Sequence, residues 1–283
     1  NSRIHGSKNE FFVASTDEAS ILESESINTT IIATRHDLHA DQVIAALQAN
    51  KNVFVEKPLA ITLEQLDQIE TTYNGLRPNK PRLMVGFNRR FSPFTSKLKS
   101  LLLNQPVPKV FVVTINAGEI AKDHWTQDSR VGGGRIIGEA CHFIDLLRFL
   151  VGSKIVGFIA TKIGDVPGVE TRDDKVSITL SFLDGSIGTI HYLSNGGQSF
   201  PKERLEVFCN GAVLQLNNFR ELKGYGWKGF RKKTSLSQQK GQVECVDAFV
   251  KSIENGCAAP IPIAELLEVS RICIEISNKL DRQ

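Results

Sequence analysis

The chain has 283 residues, 41% of them hydrophobic and 23% charged, and carries a net charge of +3. That length asks for two domains rather than one core, and so small and scattered a charge argues against a nucleic-acid partner. Five cysteines (Cys141, Cys209, Cys245, Cys257, Cys273) stand far apart with no C-x-x-C pair, so neither a zinc site nor a disulfide framework is expected. Reduced thiols, together with the lack of an apolar run long enough for a bilayer, point to a cytoplasmic protein with no membrane partner.

The first ninety residues alternate short apolar runs with helical patterns. "EFFVAS" (10–15) reads as a strand, followed by a helix capped by Thr16 or Asp17. "TTIIAT" (29–34) is a β-branched strand, and 39–50 places Val43, Ala46 and Leu47 at helical spacing. "NVFVE" is the next strand, Thr62 caps a helix over 62–73, and "RLMVGFN" (82–88) is another strand. Strand-helix-strand repetition at this spacing predicts a parallel, doubly wound sheet.

After Asn88 the rhythm changes. A helix at 93–103 and a strand at 109–117 lead into "GGGRIIGEACHFIDLLRFLVG", whose Ile137, Cys141, Ile144 and Leu147 or Arg148 form a helical stripe. Five strands follow, with hairpin turns at "LDGS" (183–186) and "CNGA" (209–212), and two helices close the chain near 241–255 and 263–281. The basic cluster "RKKTS" (231–235) reads as a solvated loop. The expected fold is α/β: a Rossmann-type parallel sheet over 1–88, then an α+β domain over 89–283 with a largely antiparallel, open-faced sheet.

Ligands of doubly wound sheets bind beyond the carboxyl ends of the strands. Three stretches put polar residues there: "ATRHDLH" with Thr34, His36 and His39, "EKP" with Glu56, Lys57 and Pro58, and "GFNRRF" with Asn88 and Arg89. Pro58 removes a donor and holds Lys57 extended, so this lysine reads as an aimed group rather than a loose surface charge. These strand ends, with "HADQVIAALQANKNVFVEKPLA" and the later "GGGRIIGEACHFID", resemble the glucose-fructose oxidoreductase/inositol dehydrogenase (Gfo/Idh/MocA) family over nearly the whole chain. "GEACHFID" resembles the branch in which such a module is fused to a zinc-type alcohol dehydrogenase module.

The resemblance implies hydride transfer between a hydroxyl carbon of a small-molecule sugar or polyol and NAD or NADP, with Lys57 and His142 matching the catalytic lysine and histidine. It also implies a Lys-Pro bond that is often cis. A secondary alcohol gives up hydride only as its proton leaves, so an amine or imidazole within hydrogen-bond reach suits that chemistry. The cofactor is expected on Thr34, His36, His39, Glu56, Lys57, Pro58 and Asn88, with "ATRHDLH" as the floor of the nicotinamide site. The substrate is expected on Arg89, His124, Trp125 and Arg135. His124-Trp125 reads equally as a sugar-stacking pair or a loop anchor, and Arg135 as an anion ligand or a helix cap. Cys141, beside His142 on a helix, reads as core packing.

Two departures from the family pattern stand out. The family's Asp-x-x-x-His has glycine here, Gly138, and the carboxylate Glu139 comes one residue later, turned about 100° from the His142 face. Either Glu139 rebuilds the relay from an irregular first turn, or Asp145, three residues after His142, orients the imidazole. The family's opening unit of strand, G-x-G-x-x-G turn and helix is not read anywhere in the chain, so an N-terminally truncated polypeptide, inactive by itself, is expected. The competing reading is a non-catalytic sugar-binding or oligomerisation module of a larger protein. Along "VSITLSF", Val176, Ile178, Leu180 and Phe182 share one face and Ser177, Thr179 and Ser181 the other, so the second sheet is expected to pair with a copy of itself as a homodimer or tetramer.

Overall fold

The structure is a computed structural model that describes residues 8–9, 11–76, 80–121, 123–164 and 174–282. Three parallel strands, β1 (Thr29–Ile32), β2 (Asn52–Val55) and β3 (Leu83–Val85), form the first sheet in the order β1-β2-β3. Val53, Phe54 and Val55 and all of Leu83–Val85 are buried, as expected of parallel strands covered on both faces. The crossover helices are His39–Gln48, which buries Val43, Ala46 and Leu47, and Leu63–Gly75, which buries Leu66 and Ile69. Thr62 caps the second by accepting from the Gln65 amide at 3.2 Å.

After a helix at Pro93–Leu102, opened by Ser92 at the cap and proline at the first position, the chain builds an eight-stranded sheet. Its strands are β4 (Val110–Asn116), β5 (Ile155–Lys162), β6 (Lys175–Phe182), β7 (Ile187–Leu193), β8 (Glu203–Cys209), β9 (Ala212–Asn217), β10 (Glu221–Tyr225) and β11 (Lys232–Thr234). They lie in the order β11-β10-β9-β8-β4-β7-β6-β5, antiparallel throughout except for the β4–β7 pair. Asn210 and Gly211 both have positive φ, which a two-residue hairpin turn between β8 and β9 requires. The helix Cys141–Val151 packs against β7, the final helix Ile263–Asp281 touches both β3 and β5, and a helix at Gln242–Glu254 packs against the Asn88–Phe91 turn after β3; one continuous apolar core runs from Val53 and Leu83 through Ile144 and Leu147 to Ile178 and Tyr192.

The alternation in β6 is as expected: Val176, Ile178, Leu180 and Phe182 are buried, while Ser177 and Thr179 are half-buried and Ser181 is exposed. The outer face holds Ser177 against His191 at 2.9 Å and Thr179 against Thr189 at 3.1 Å. It also holds an apolar row that crosses five strands, Ile187–Val110–Phe208–Val213–Tyr225. Four of these are exposed by 41–51%.

Three expectations are corrected. Phe11, Phe12 and Val13 form no strand and are 69–102% exposed, because no described strand lies beside them to take their backbone hydrogen bonds. The basic stretch at 231–235 is not a plain loop; it contains β11, which continues the sheet through β10. The spacing G-x-G-x-x-G does occur, at Gly224-Tyr225-Gly226-Trp227-Lys228-Gly229, but it lies at the end of β10 and in its turn toward β11, with no helix behind it. A Cβ on Gly224 would meet the Phe230 carbonyl at 2.7 Å, so this glycine serves close packing of a ribbon rather than a phosphate cradle.

Candidate active site

The carboxyl ends of β1, β2 and β3 fall on one edge, where Thr34, Glu56 and Asn88 follow their strands within three residues. Between β2 and the next helix, the Lys57-Pro58 peptide is cis. Lys57 Nζ donates to the carbonyl of Gly138 at 2.9 Å, and no described carboxylate forms an ion pair with it. Gly138 belongs to a wide π-type turn, Ile136–Ala140, that leads directly into the helix bearing His142. Turns of this kind are frequent at functional sites because they reset the direction of side chains along a helix. The strand-end lysine and the start of the His142 helix are therefore in contact.

His142 is 6% exposed, its ring lies edge-on to Phe87 at 6.2 Å, and its Nδ1 is buried without a hydrogen-bond partner. Burial holds its pKa well below the usual histidine value, and the positive charges of Arg89, Lys57, Lys240 and Lys202 push the same way. The imidazole is neutral at physiological pH, a state in which it can accept a proton. His142 also lines a cavity of about 320 Å³ together with Glu56, Asn88, Arg89 and Lys240.

His36 sits in the turn after β1, 6% exposed, with Nδ1 2.7 Å from the Gly132 carbonyl. Trp125 stands edge-on to it at 4.7 Å. His124 caps the short turn at Trp125–Gln127 through Thr126 and is exposed. Trp125 thus reaches the site through His36, and His124 is the loop anchor. Buried His39 faces backbone carbonyls with both ring nitrogens, Nδ1 that of Pro58 at 2.7 Å and Nε2 that of Thr34 at 3.2 Å, and the N–H of a neutral ring can donate to only one of them. It clamps two strand ends together and leaves no nitrogen for a cofactor. Pro58 is buried beneath it, and Thr34 is exposed with its hydroxyl on Gln42.

Several expected site residues are spent on structure. Asp145 does not orient His142: its buried carboxylate takes the Arg90 guanidinium at 2.5 and 3.0 Å, and Glu265 takes the other arm of Arg90 at 3.0 Å. The helical spacing put Asp145 near the right face, but a buried arginine supplied a stronger partner. Glu139 does not rebuild a relay either. Its carboxylate accepts from Tyr192 at 2.5 Å, Arg135 at 2.8 Å and Lys202 at 3.1 Å. Although burial opposes this, those three donors hold its pKa at about 2. Arg135 is neither a free anion ligand nor only a cap, since it also donates to Tyr192 at 2.7 Å and to Gly118. Arg89 faces the cavity, yet its fork is closed on Glu203 at 2.9 and 3.0 Å. Asn88 donates to the Lys240 carbonyl. Burial pushes the Cys141 thiol up to about 12, in keeping with core packing.

Sequence reasoning missed Glu203, Lys240, Tyr192 and Lys202. Glu203 is 2% exposed and takes Lys240 at 2.6 Å as well as Arg89, so it ties β8 to the end of β3 and to the start of the Gln242–Glu254 helix. No local pattern announces such a residue, because its partners lie 114 and 37 positions away.

Residues 6–87 match the Gfo/Idh/MocA model described as an oxidoreductase family with an NAD-binding Rossmann fold, and residues 97–215 match the Gfo/Idh/MocA C-terminal domain. The chain belongs to the Gfo/Idh/MocA oxidoreductase family. It is 28% identical over 216 residues to myo-inositol 2-dehydrogenase of Thermotoga maritima, covering 72% of this chain and 61% of that protein. It spans 53–61% of the length of the first curated relatives it matches. In fold it resembles the oxidoreductase domain protein from Kribbella flavida, with a TM-score of 0.85 at 23% identity over 99% of this chain and 86% of that one. It also resembles levoglucosan dehydrogenase in complex with NADH and levoglucosan, with a TM-score of 0.83 at 22% identity over 98% and 85%. Among the described residues no helix is long and apolar enough to cross a membrane, and no cluster of ligating side chains suits a metal.

Proposed function

We propose that the protein is an NAD(P)-dependent oxidoreductase acting on a secondary hydroxyl of a sugar or cyclitol, with Lys57 and His142 handling the hydroxyl proton. The observation that carries this is the 2.9 Å contact between Lys57 Nζ and the Gly138 carbonyl, four residues before a buried, neutral His142. The edge suits the nicotinamide end of a cofactor: His142 Nδ1 is a buried polar atom without a partner, and Thr34 and Glu56 stand exposed at their strand ends. The turn at Thr34 and the Glu56 carboxylate would hold the nicotinamide and its ribose. When bound, the nicotinamide supplies the hydride acceptor.

The chain's own residues supply the rest. Lys57 donates a hydrogen bond to the reacting hydroxyl oxygen and fixes its position. His142 accepts the O–H proton as the C–H hydride departs and the carbonyl forms, so charge and atoms balance. Exclusion of water by Phe87 and the surrounding core keeps the imidazole neutral until that step. The reading divides the chain at residue 88, with the nucleotide on the first part and substrate binding and assembly on the second. For assembly, the apolar row from Ile187 to Tyr225 is offered to the same row of a second copy in a two-fold dimer, itself able to pair into a tetramer.

The name of the Thermotoga relative makes myo-inositol the first substrate to try. Reduction of NAD or NADP, followed by nicotinamide absorbance with a panel of cyclitols and sugars, tests the reading. Turnover that needs a secondary hydroxyl supports it; binding of these compounds with no reduction of either cofactor would leave a binding module instead.

A further inference from the structure

The imidazole of His36 is placed with more care than a loop residue needs. A carbonyl oxygen only accepts, so the 2.7 Å contact with Gly132 fixes the His36 proton on Nδ1 and leaves Nε2 as a bare acceptor. The Asp37 amide donates to the Val131 carbonyl at 3.1 Å, a second tie between the same two loops. Trp125 braces one side of the ring. A Cβ added at Gly138 would stand 3.2 Å from His36 Cε1, so the missing side chain at 138 leaves room for the imidazole. Gly138 therefore has His36 against its α-carbon and Lys57 on its carbonyl, which brings the two polar groups to one backbone position.

We propose, on the basis of the hydride-transfer reading above, that His36 is a substrate-positioning residue: its bare Nε2 accepts a hydrogen bond from the hydroxyl adjacent to the one that Lys57 holds. The site then selects vicinal diols over isolated alcohols. Burial, aided by the positive charge of Lys57, keeps the ring neutral with a pKa of about 4, so the acceptor persists through the physiological range. A site built to satisfy a hydroxyl discriminates strongly against a compound that lacks it, because the site's own polar atom is then left unpaired.

The test uses nitrogen-15 NMR of histidine-labelled protein, with myo-inositol as the probe, and the variant His36→Asn. Asparagine can keep the donor to Gly132 but has nothing at Nε2. We expect the Nδ1–H tautomer at neutral pH, an Nε2 resonance that moves on addition of myo-inositol, and a roughly tenfold weaker dissociation constant in His36→Asn. The loss should appear in KM more than in kcat, and wild type should lose the same factor on monodeoxy-inositols that lack the neighbouring hydroxyl. A proton on Nε2, an Nε2 resonance that ignores myo-inositol, or a His36→Asn affinity equal to wild type would each overturn the proposal. If those results came with turnover that still depended on Lys57, the positioning role alone would fall and the hydride-transfer reading would stand.

Discussion

Lys57 Nζ lies 2.9 Å from the carbonyl oxygen of Gly138, although 81 positions separate them in the chain. This contact joins the end of the central strand of the first sheet to the turn that starts the second domain's site helix. An ammonium on a backbone carbonyl has no partner charge to satisfy, so it remains available to a hydroxyl oxygen, unlike an ammonium held by a carboxylate.

Acid should weaken the fold in a window set by the buried histidines. His36 titrates at about 4 in the native state against 6.5 ordinarily, and His142 is shifted in the same direction. The unfolded chain takes up protons first as pH falls, so the stability is complete above about 6.5 and is lost as pH drops toward 4. For His36 the difference is at most about 3 kcal/mol, and nearer about 2 kcal/mol once solvent screening at its open side is allowed for. Urea unfolding at pH 7 and pH 5 should show the decline, with a shallower one in His36→Asn. Equal stability at the two pH values would contradict it.

Asp145→Asn should destabilise the protein by about 3 kcal/mol or more, because it leaves the buried Arg90 guanidinium with only the half-exposed Glu265. Turnover per folded molecule should change little, since the Asp145 carboxylate is bonded to Arg90 and not to His142. A normal melting temperature with a large loss of kcat would return Asp145 to the catalytic group.

Much of the fold was legible in the sequence because it is local: the periodicity around Val43 and Leu66, the Thr62 cap and the Asn-Gly turn are each set by neighbours a few residues apart. The candidate site was legible where a strand simply ends, at Glu56-Lys57-Pro58. It was not legible where partners come from afar. Asp145 was a reasonable helper for His142 by helical spacing and Glu139 through an irregular first turn, yet Arg90, 55 positions upstream of Asp145, and Tyr192, 53 downstream of Glu139, took them. Burial of an ion pair is a tertiary fact, and spacing on one helix carries no information about it.

Glu139→Gln separates these two kinds of role. The carboxylate takes three donors and is held at about 2, so it stays ionised across the working range and cannot pass a proton. The substitution should cost stability, by about 3 kcal/mol, because Arg135 is left buried beside a neutral amide. The pH profile of kcat should keep its shape. A profile that shifts in the variant would show that Glu139 does take part in proton transfer.

The assembly proposal rests on the apolar row that crosses the outer face of the large sheet. Phe208→Glu combined with Ile187→Lys puts charge at two exposed points of that row. Sedimentation should then report a species near the chain mass of 31.3 kDa, where wild type sediments as a dimer or larger. A wild-type protein that already sediments as a monomer at micromolar concentration would contradict the proposal.

Lys57→Ala tests the central claim most directly. Turnover of the polyol and affinity for the nicotinamide cofactor should be measured side by side on the variant and wild type. If the amine positions the reacting hydroxyl for proton transfer, kcat should fall by roughly two to four orders of magnitude. The cofactor dissociation constant should stay within about threefold, since it would be held chiefly by other groups at the strand ends. A variant that turns over within a few-fold of wild type would contradict the account.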